Sequence, residues 1–318
     1  SSVNAVGKHA SSGTNQSNTQ PAPNPYIRKN DNGSYSITSA GRQWLESAVT
    51  NTNGSIYLTQ NKLESVTSAA AMARLSRRGD DLRVTILDEF AQGIDSDVND
   101  RGDEALLRRV ITAYGDDSVQ QLVGQHIVVE GASNLLTKKL QWGRLAAYLE
   151  QSTRYIFYDQ QDENSNYKYY TPNNLSKEVT SHFKAEMDAM FNDYSEIVKK
   201  VTQYVRTNSS EPEEKRDGAW RAATRAQACD AVRTLLPVAT KSTVGIFASG
   251  QALESLIMHL QSDEMHEARQ TGDEILAEAR KVLPTFLERA DKPDRGGAWI
   301  AYRAQTRKNI DELVKQNA

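Results

Sequence analysis

Apolar positions along the chain follow two spacings, and they divide it into helices and short strands. Val179, Phe183, Met187, Met190, Phe191, Tyr194, Ile197, Val198 and Val201 recur every three or four residues. That period predicts one long amphipathic helix over Leu175–Val205. A second long helix is expected over Ala222–Leu236, stopped near Pro237, which cannot continue a helix. Leu63, Val66, Ala69, Ala70, Ala73 and Leu75 keep to one face from Lys62 until Arg77-Arg78-Gly79. Further helices are expected over Asp80–Gln92, Glu104–Tyr114, Glu267–Arg289 and Ala298–Val314, with a break at Asp291–Gly297. Trp44, Leu45 and Val49 supply one more helical turn before the turn-forming cluster Asn51–Gly54.

Two stretches read as β-strand instead: Ser55–Thr59 and Leu122–Glu130, the latter closed by Gly131. Ser133 or Asn134 then caps a short helix carrying Leu135, Leu136 and Leu140. The fold class is therefore α+β: a helix-rich domain with a small mixed sheet holding Ser55–Thr59 and Leu122–Glu130, packed by long helices from residue 173 onward. The first stretch is rich in Ser, Asn, Thr, Gln and Pro, and too poor in apolar residues to offset the entropy of ordering. A disordered polar tail over residues 1–40 and one domain over 41–318 follow.

Composition narrows the function classes. With 38 basic and 41 acidic residues the net charge is −3, which gives no global case for nucleic acid or an anionic membrane. Cys229 is the one cysteine, so no disulfide forms within the chain, which fits a reducing cytoplasm. No apolar run approaches the roughly 20 residues that span a bilayer. His259 and His266 lie seven residues apart on helical sequence, without other ligands nearby to suggest a metal. The five tyrosines of Tyr155–Tyr170 fit a hairpin or lid, either as an amphipathic rim or as stacking groups for a ligand ring.

The chemistry concentrates after the strand, in Trp142-Gly143-Arg144 and Glu150-Gln151-Ser152-Thr153-Arg154-Tyr155. A guanidinium fork, a short hydroxyl and an amide close together suit an anionic ligand, although a helix–loop turn with one structural arginine reads almost the same.

Glu150-Gln151-Ser152-x-Arg154-Tyr155 resembles the substrate-binding end of the flavin-dependent thymidylate synthase signature, which is Arg-His-Arg, seven residues, then Ser-x-Arg. Arg144 stands at the third position of that triplet, seven residues before Ser152. Tyr114-Gly115-x-x-Ser118-Val119 is similar to the family's Gly-His-x-Ser/Thr segment, and Ala73-Arg74-Leu75-Ser76 to a flavin-pocket Ala-Arg-Val-Ser. Arg233-Thr234-Leu235-Leu236-Pro237 resembles its Ala-Arg-x-x-Leu-Pro, whose arginine binds the nucleotide; Arg221 and Arg225 share that helix face. Val244–Leu260 is similar to a family helix bearing Asn-Ala-Arg, and the likeness runs over about residues 55–290.

The resemblance implies synthesis of thymidylate from deoxyuridylate with methylene-tetrahydrofolate and reduced FAD, NADPH supplying the reducing equivalents. It implies substrate contacts from Glu150, Gln151, Ser152, Arg154 and Arg233, and cofactor contacts from Ser76, Ser118 and Arg144. It further implies an oligomer with sites built at subunit contacts.

Departures from the pattern are equally specific. Arg-His becomes Trp142-Gly143, the histidine of the glycine segment becomes Asp116, and the later Asn and Arg fall at Ser249 and Gln251. The substrate-activating arginine falls at Leu260, or at His259. The nucleotide half of the set is intact and the flavin half is depleted. Two functions follow as expectations: a synthase that needs a complementary domain or subunit, or a catalytically silent nucleotide-binding scaffold of the same fold.

Overall fold

The computed structural model of the chain describes residues 23–75, 78–95 and 119–317. These residues fall into two compact units. One comprises those up to Lys62 with those of 79–95; the other comprises 63–75, 78 and everything from 119 on.

The first unit begins with an antiparallel hairpin of β1 (Ile27–Lys29) and β2 (Tyr35–Ile37), turned at Gly33 with φ +83°. Residues 27–37, expected in the polar tail, therefore carry regular structure. Ile27 is buried, and few apolar residues suffice because the strands are three residues each. Helix α1 (Ser39–Glu46) follows, with the Thr38 hydroxyl accepting from the Gly41 amide at 3.1 Å. Ser55–Thr59 is not a strand of any sheet. It makes a single bridge between Thr59 and Val49, and Ile56 and Leu58 are 81% and 66% exposed, so the segment has no buried face to pin a register.

The second unit opens with α2 (Ser65–Leu75), whose Ala69, Ala70, Ala71 and Ala73 are buried as their spacing requires. In place of one helix over Asp80–Gln92 the first unit has α3 (Leu82–Glu89), capped by Asp81, and then α4 (Ala91–Asp95). The expected helix Glu104–Tyr114 lies outside the described residues.

The second unit's sheet comprises β3 (Gly124–Ser133), β4 (Ala147–Glu150) and β5 (Lys241–Ser249) in the order β3-β5-β4, every pairing antiparallel rather than mixed. The central strand is the chief correction to the sequence reading, which took Val244–Leu260 as helix throughout. Ser242, Val244, Ile246 and Ala248 point into the core while Lys241 and Phe247 are exposed, a period of two that only a strand satisfies. Ser249 then ends the strand and caps a helix through the Ala252 amide at 3.3 Å.

The second unit's further helices are α5 (Asn134–Leu140), α6 (Lys177–Thr207), α7 (Gly218–Val232), α8 (Gly250–Gln261), α9 (His266–Ala279) and α10 (Gly296–Asn317), of which α5 and α8 lie directly against the sheet and α6 packs on α7. The helix expected over Glu267–Arg289 stops at Ala279. Pro284 bars the helix from continuing, and Leu283, Phe286 and Leu287 bury themselves in the turns that follow. Phe191, Tyr194, Val198, Ala228, Cys229 and Val232 form one core between α6 and α7. Tyr158 and Tyr169, from the tyrosine-rich stretch, complete it, and the Tyr158 hydroxyl donates to the Lys241 carbonyl at 3.2 Å. No helix among the described residues is long and apolar enough to cross a membrane.

Candidate functional site

Strand β4 delivers the Glu150–Tyr155 loop, and the ladder continues one residue past it, the Gln151 amide donating to the Thr243 carbonyl at 2.9 Å. The chain then folds on Ser152. Its carbonyl accepts from the amides of Tyr155 and Ile156, both at 3.1 Å, and its hydroxyl accepts from the Arg154 amide at 3.3 Å. This tight turn throws the Arg154 side chain outward, where it is 53% exposed.

Arg233 arrives from a different direction. Helix α7 ends at Val232 and tightens into a 3-10 turn over Arg233–Leu235, because Leu236 precedes Pro237 and is driven into extended backbone. The two guanidiniums meet at one atom. Arg154 Nε lies 3.3 Å and Arg233 Nη2 3.1 Å from Oδ1 of Asp230, in the last turn of α7. Two cations from separate elements thus converge on a single anionic oxygen. The distances exceed the 2.7–2.9 Å of a tight charged hydrogen bond, and all three side chains are two-fifths exposed or more, so the cluster is loosely held. Asp230 did not stand out in the sequence; the available signal was its position three residues before Arg233 on one helix face.

Glu150 is placed differently from its expected partners. Its carboxylate accepts from Thr137 Oγ1 at 2.9 Å, Lys138 Nζ at 2.8 Å and Gln141 Nε2 at 2.9 Å, all on or just after α5. Burial works to raise its pKa, but these donors, Lys138 foremost, outweigh that and hold the carboxyl below its ordinary range. Arg221 and Arg225 are not brought to Asp230. Arg221 reaches the Arg216 carbonyl at 3.4 Å, and Arg225 lies over the Phe157 ring.

Of the expected cofactor contacts, Ser76 and Ser118 lie outside the described residues, as do Tyr114, Gly115 and Asp116. Arg144 sits in the turn after α5 with φ +51°, left-handed backbone that a side chain seldom adopts. Trp142 and Gly143 line a cavity of about 490 Å³ together with Tyr148, His259, Tyr302 and Arg303. Burial, reinforced by the Arg303 and Arg307 charges, pushes the His259 imidazole below its ordinary pKa. Leu260 is fully buried and Ser249 is spent as a helix cap, while the Gln251 carbonyl oxygen accepts from Gln121 at 2.6 Å. Of the expected cofactor contacts, Arg144 alone lies among the described residues. No group of three His, Cys, Asp or Glu among the described residues could hold a metal ion.

Residues 57–285 match the family described as thymidylate synthase complementing protein. The chain is 30% identical to a UPF0159 protein of Chlamydia pneumoniae over 294 residues, covering 88% of this chain and 55% of that protein. It is 32% identical to a UPF0159 protein of Chlamydia muridarum over 262 residues, 79% and 49% of the two chains. A flavin-dependent thymidylate synthase of Clostridium tetani is 24% identical over 202 residues, 62% of this chain and 75% of that one. The chain spans about half the length of the UPF0159 relatives it matches. With the family match covering most of the folded sequence, the chain belongs to the thymidylate synthase complementing protein family.

Proposed function

We propose that this chain binds deoxyuridylate for a flavin-dependent thymidylate synthase, in which methylene-tetrahydrofolate supplies the carbon and reduced FAD, regenerated by NADPH, supplies the reducing equivalents. The observation that carries the reading is the convergence of Arg154 and Arg233 on one anionic oxygen, beside the hydroxyl-bearing turn of Ser152. A nucleotide phosphate offers the same chemistry with more charge and more oxygens. In this reading Arg154 and Arg233 hold the phosphate, and Ser152 and Gln151 donate neutral hydrogen bonds. Glu150 positions the loop by bonding α5 rather than touching the nucleotide.

The flavin carries the redox chemistry when bound, and this chain's described residues do not by themselves fit it. Trp142 and Gly143 stand where the signature has two cationic side chains, which leaves Arg144 alone. The reading therefore includes a complementary related domain or subunit that supplies the rest of the flavin site in a homo- or hetero-oligomer. That the UPF0159 relatives extend to about twice the span matched here supports room for such a domain. The assembly would act in the cytoplasm, where the buried thiol of Cys229 stays reduced.

A second reading, a catalytically silent nucleotide-binding or scaffold subunit, is favoured by the same depletion of cations and by the burial of Leu260. The test is thymidylate formation from deoxyuridylate, methylene-tetrahydrofolate, FAD and NADPH, with the chain alone and with its complementary domain. Turnover only with the complement supports the synthase; no turnover in either, with nucleotide still bound, supports the silent subunit.

A further inference from the structure

Asp230 is the one acidic group that either arginine of the candidate phosphate site touches among the described residues. Nothing in the signature asks for it. Both ion pairs use the same oxygen, Oδ1, while the arginines come from separate elements, and Asp230 itself is 41% exposed. A carboxylate so placed does two things. It neutralises two like charges that would otherwise repel, and it occupies the point toward which both forks aim. We infer that Asp230 is a tethered counter-anion which an incoming phosphate must displace, and that it sets the charge threshold of the site; the inference rests on the phosphate reading above.

The electrostatics favour displacement over coexistence. A phosphate monoester brings up to two negative charges against the two guanidiniums. Left in place, the carboxylate would stand within a few ångströms of it as a like charge in partly exposed surroundings. Swinging out costs little, because each pair is long and solvated. A monoanion gains nothing by the exchange, since it replaces one unit charge with another. A dianion gains the extra attraction of both forks. The tether thus discriminates against carboxylates and in favour of phosphate.

Asp230→Asn removes the charge while keeping the shape, and calorimetry on the purified chain reads the result with four probes: deoxyuridylate, deoxyuridine, inorganic phosphate and acetate. Two exposed ion pairs of ordinary strength correspond to about 2- to 30-fold in affinity. The variant is expected to bind deoxyuridylate and inorganic phosphate tighter by that factor, to bind deoxyuridine unchanged, and to admit acetate as a competitor. Unchanged or weaker phosphate binding in Asp230→Asn, with Arg154→Ala still losing the nucleotide, overturns the inference and makes Asp230 a partner that positions the arginines. If the native chain prefers nucleotide no more than nucleoside and Arg154→Ala changes nothing, the phosphate reading falls and this inference with it. Asp230→Ala, checked for an unaltered circular dichroism spectrum, repeats the measurement should the asparagine amide form new bonds.

Discussion

Gln141 donates from Nε2 to the Glu150 carboxylate at 2.9 Å, which ties the residue just past α5 to the end of β4, where the loop 151–155 begins. With Thr137 and Lys138 on the same carboxylate, Glu150 fixes the angle at which Gln151, Ser152 and Arg154 leave the sheet. Glu150→Ala is expected to strand these donors and cost about 1–3 kcal/mol of stability, read by urea unfolding. Nucleotide affinity should fall as well, through loss of loop position. Unaltered stability would mean the three bonds are incidental.

Two carboxylates flank α5 and should titrate with opposite signs. Glu150 has a lowered folded pKa, so its contribution is present above its unfolded value of 4.5 and is lost as pH falls through the folded value. Glu267 has a raised one. Burial is the larger influence, resisted by the Ser133 hydroxyl and amide, which donate at 2.6 and 2.8 Å, and by Lys241. The native state therefore holds the Glu267 proton more tightly, and stability declines as pH rises from 4.5 through the folded value. Unfolding midpoints measured against pH should show a smaller acid-side loss in Glu150→Gln and a flatter decline above 4.5 in Glu267→Gln. Identical profiles for the native chain and both variants would refute these assignments.

Arg289 and Glu254 form an ion pair at 3.2 Å in which Glu254 is 9% and Arg289 26% exposed, and Arg289 also reaches Gln120. Arg289→Ala removes this pair and the Gln120 contact, and is expected to cost about 1–3 kcal/mol of stability, read by urea unfolding. Glu254→Gln with Arg289→Met should recover much of that in a double-mutant cycle. An additive cycle would show that the pair is not coupled.

Much of this architecture was legible in the sequence, for a physical reason. The stripe from Val179 to Val201 fixes α6 because its period has no strand alternative, and the predicted α+β class follows from such helices beside a short β-rich run. β5 was hidden because Gly245 and Ser249 weaken the alternation, and because its nine residues run straight into a true helix. The hairpin of Ile27 and Ile37 was masked by polar neighbours. In the site, Arg154 and Arg233 were legible from local motifs. Asp230 was not, because its relation to Arg154 spans 76 residues and exists only once α7 packs beside the β4 loop. The role of Glu150 is likewise tertiary.

Arg144 separates the two halves of the proposed site. Its left-handed backbone costs about 1 kcal/mol relative to glycine, so Arg144→Gly should be neutral to slightly stabilising in thermal unfolding. Its loss should leave deoxyuridylate affinity within about twofold of the native chain, less than the roughly 0.5–1.5 kcal/mol of one ordinary hydrogen bond. A loss as large as that from Arg154→Ala would move Arg144 into the nucleotide half.

The central claim is that Arg154 and Arg233 together form a phosphate site, and calorimetric titration with deoxyuridylate and with deoxyuridine tests it most directly. Each charge-assisted contact contributes about 1.5–3 kcal/mol. Arg154→Ala and Arg233→Ala should therefore each weaken the nucleotide by roughly 10- to 150-fold, leaving the nucleoside untouched. Arg154→Lys should recover only part, since an ammonium lacks the two-pronged fork. Equal binding of nucleotide and nucleoside by the native chain, or normal nucleotide binding by Arg154→Ala, would contradict the account.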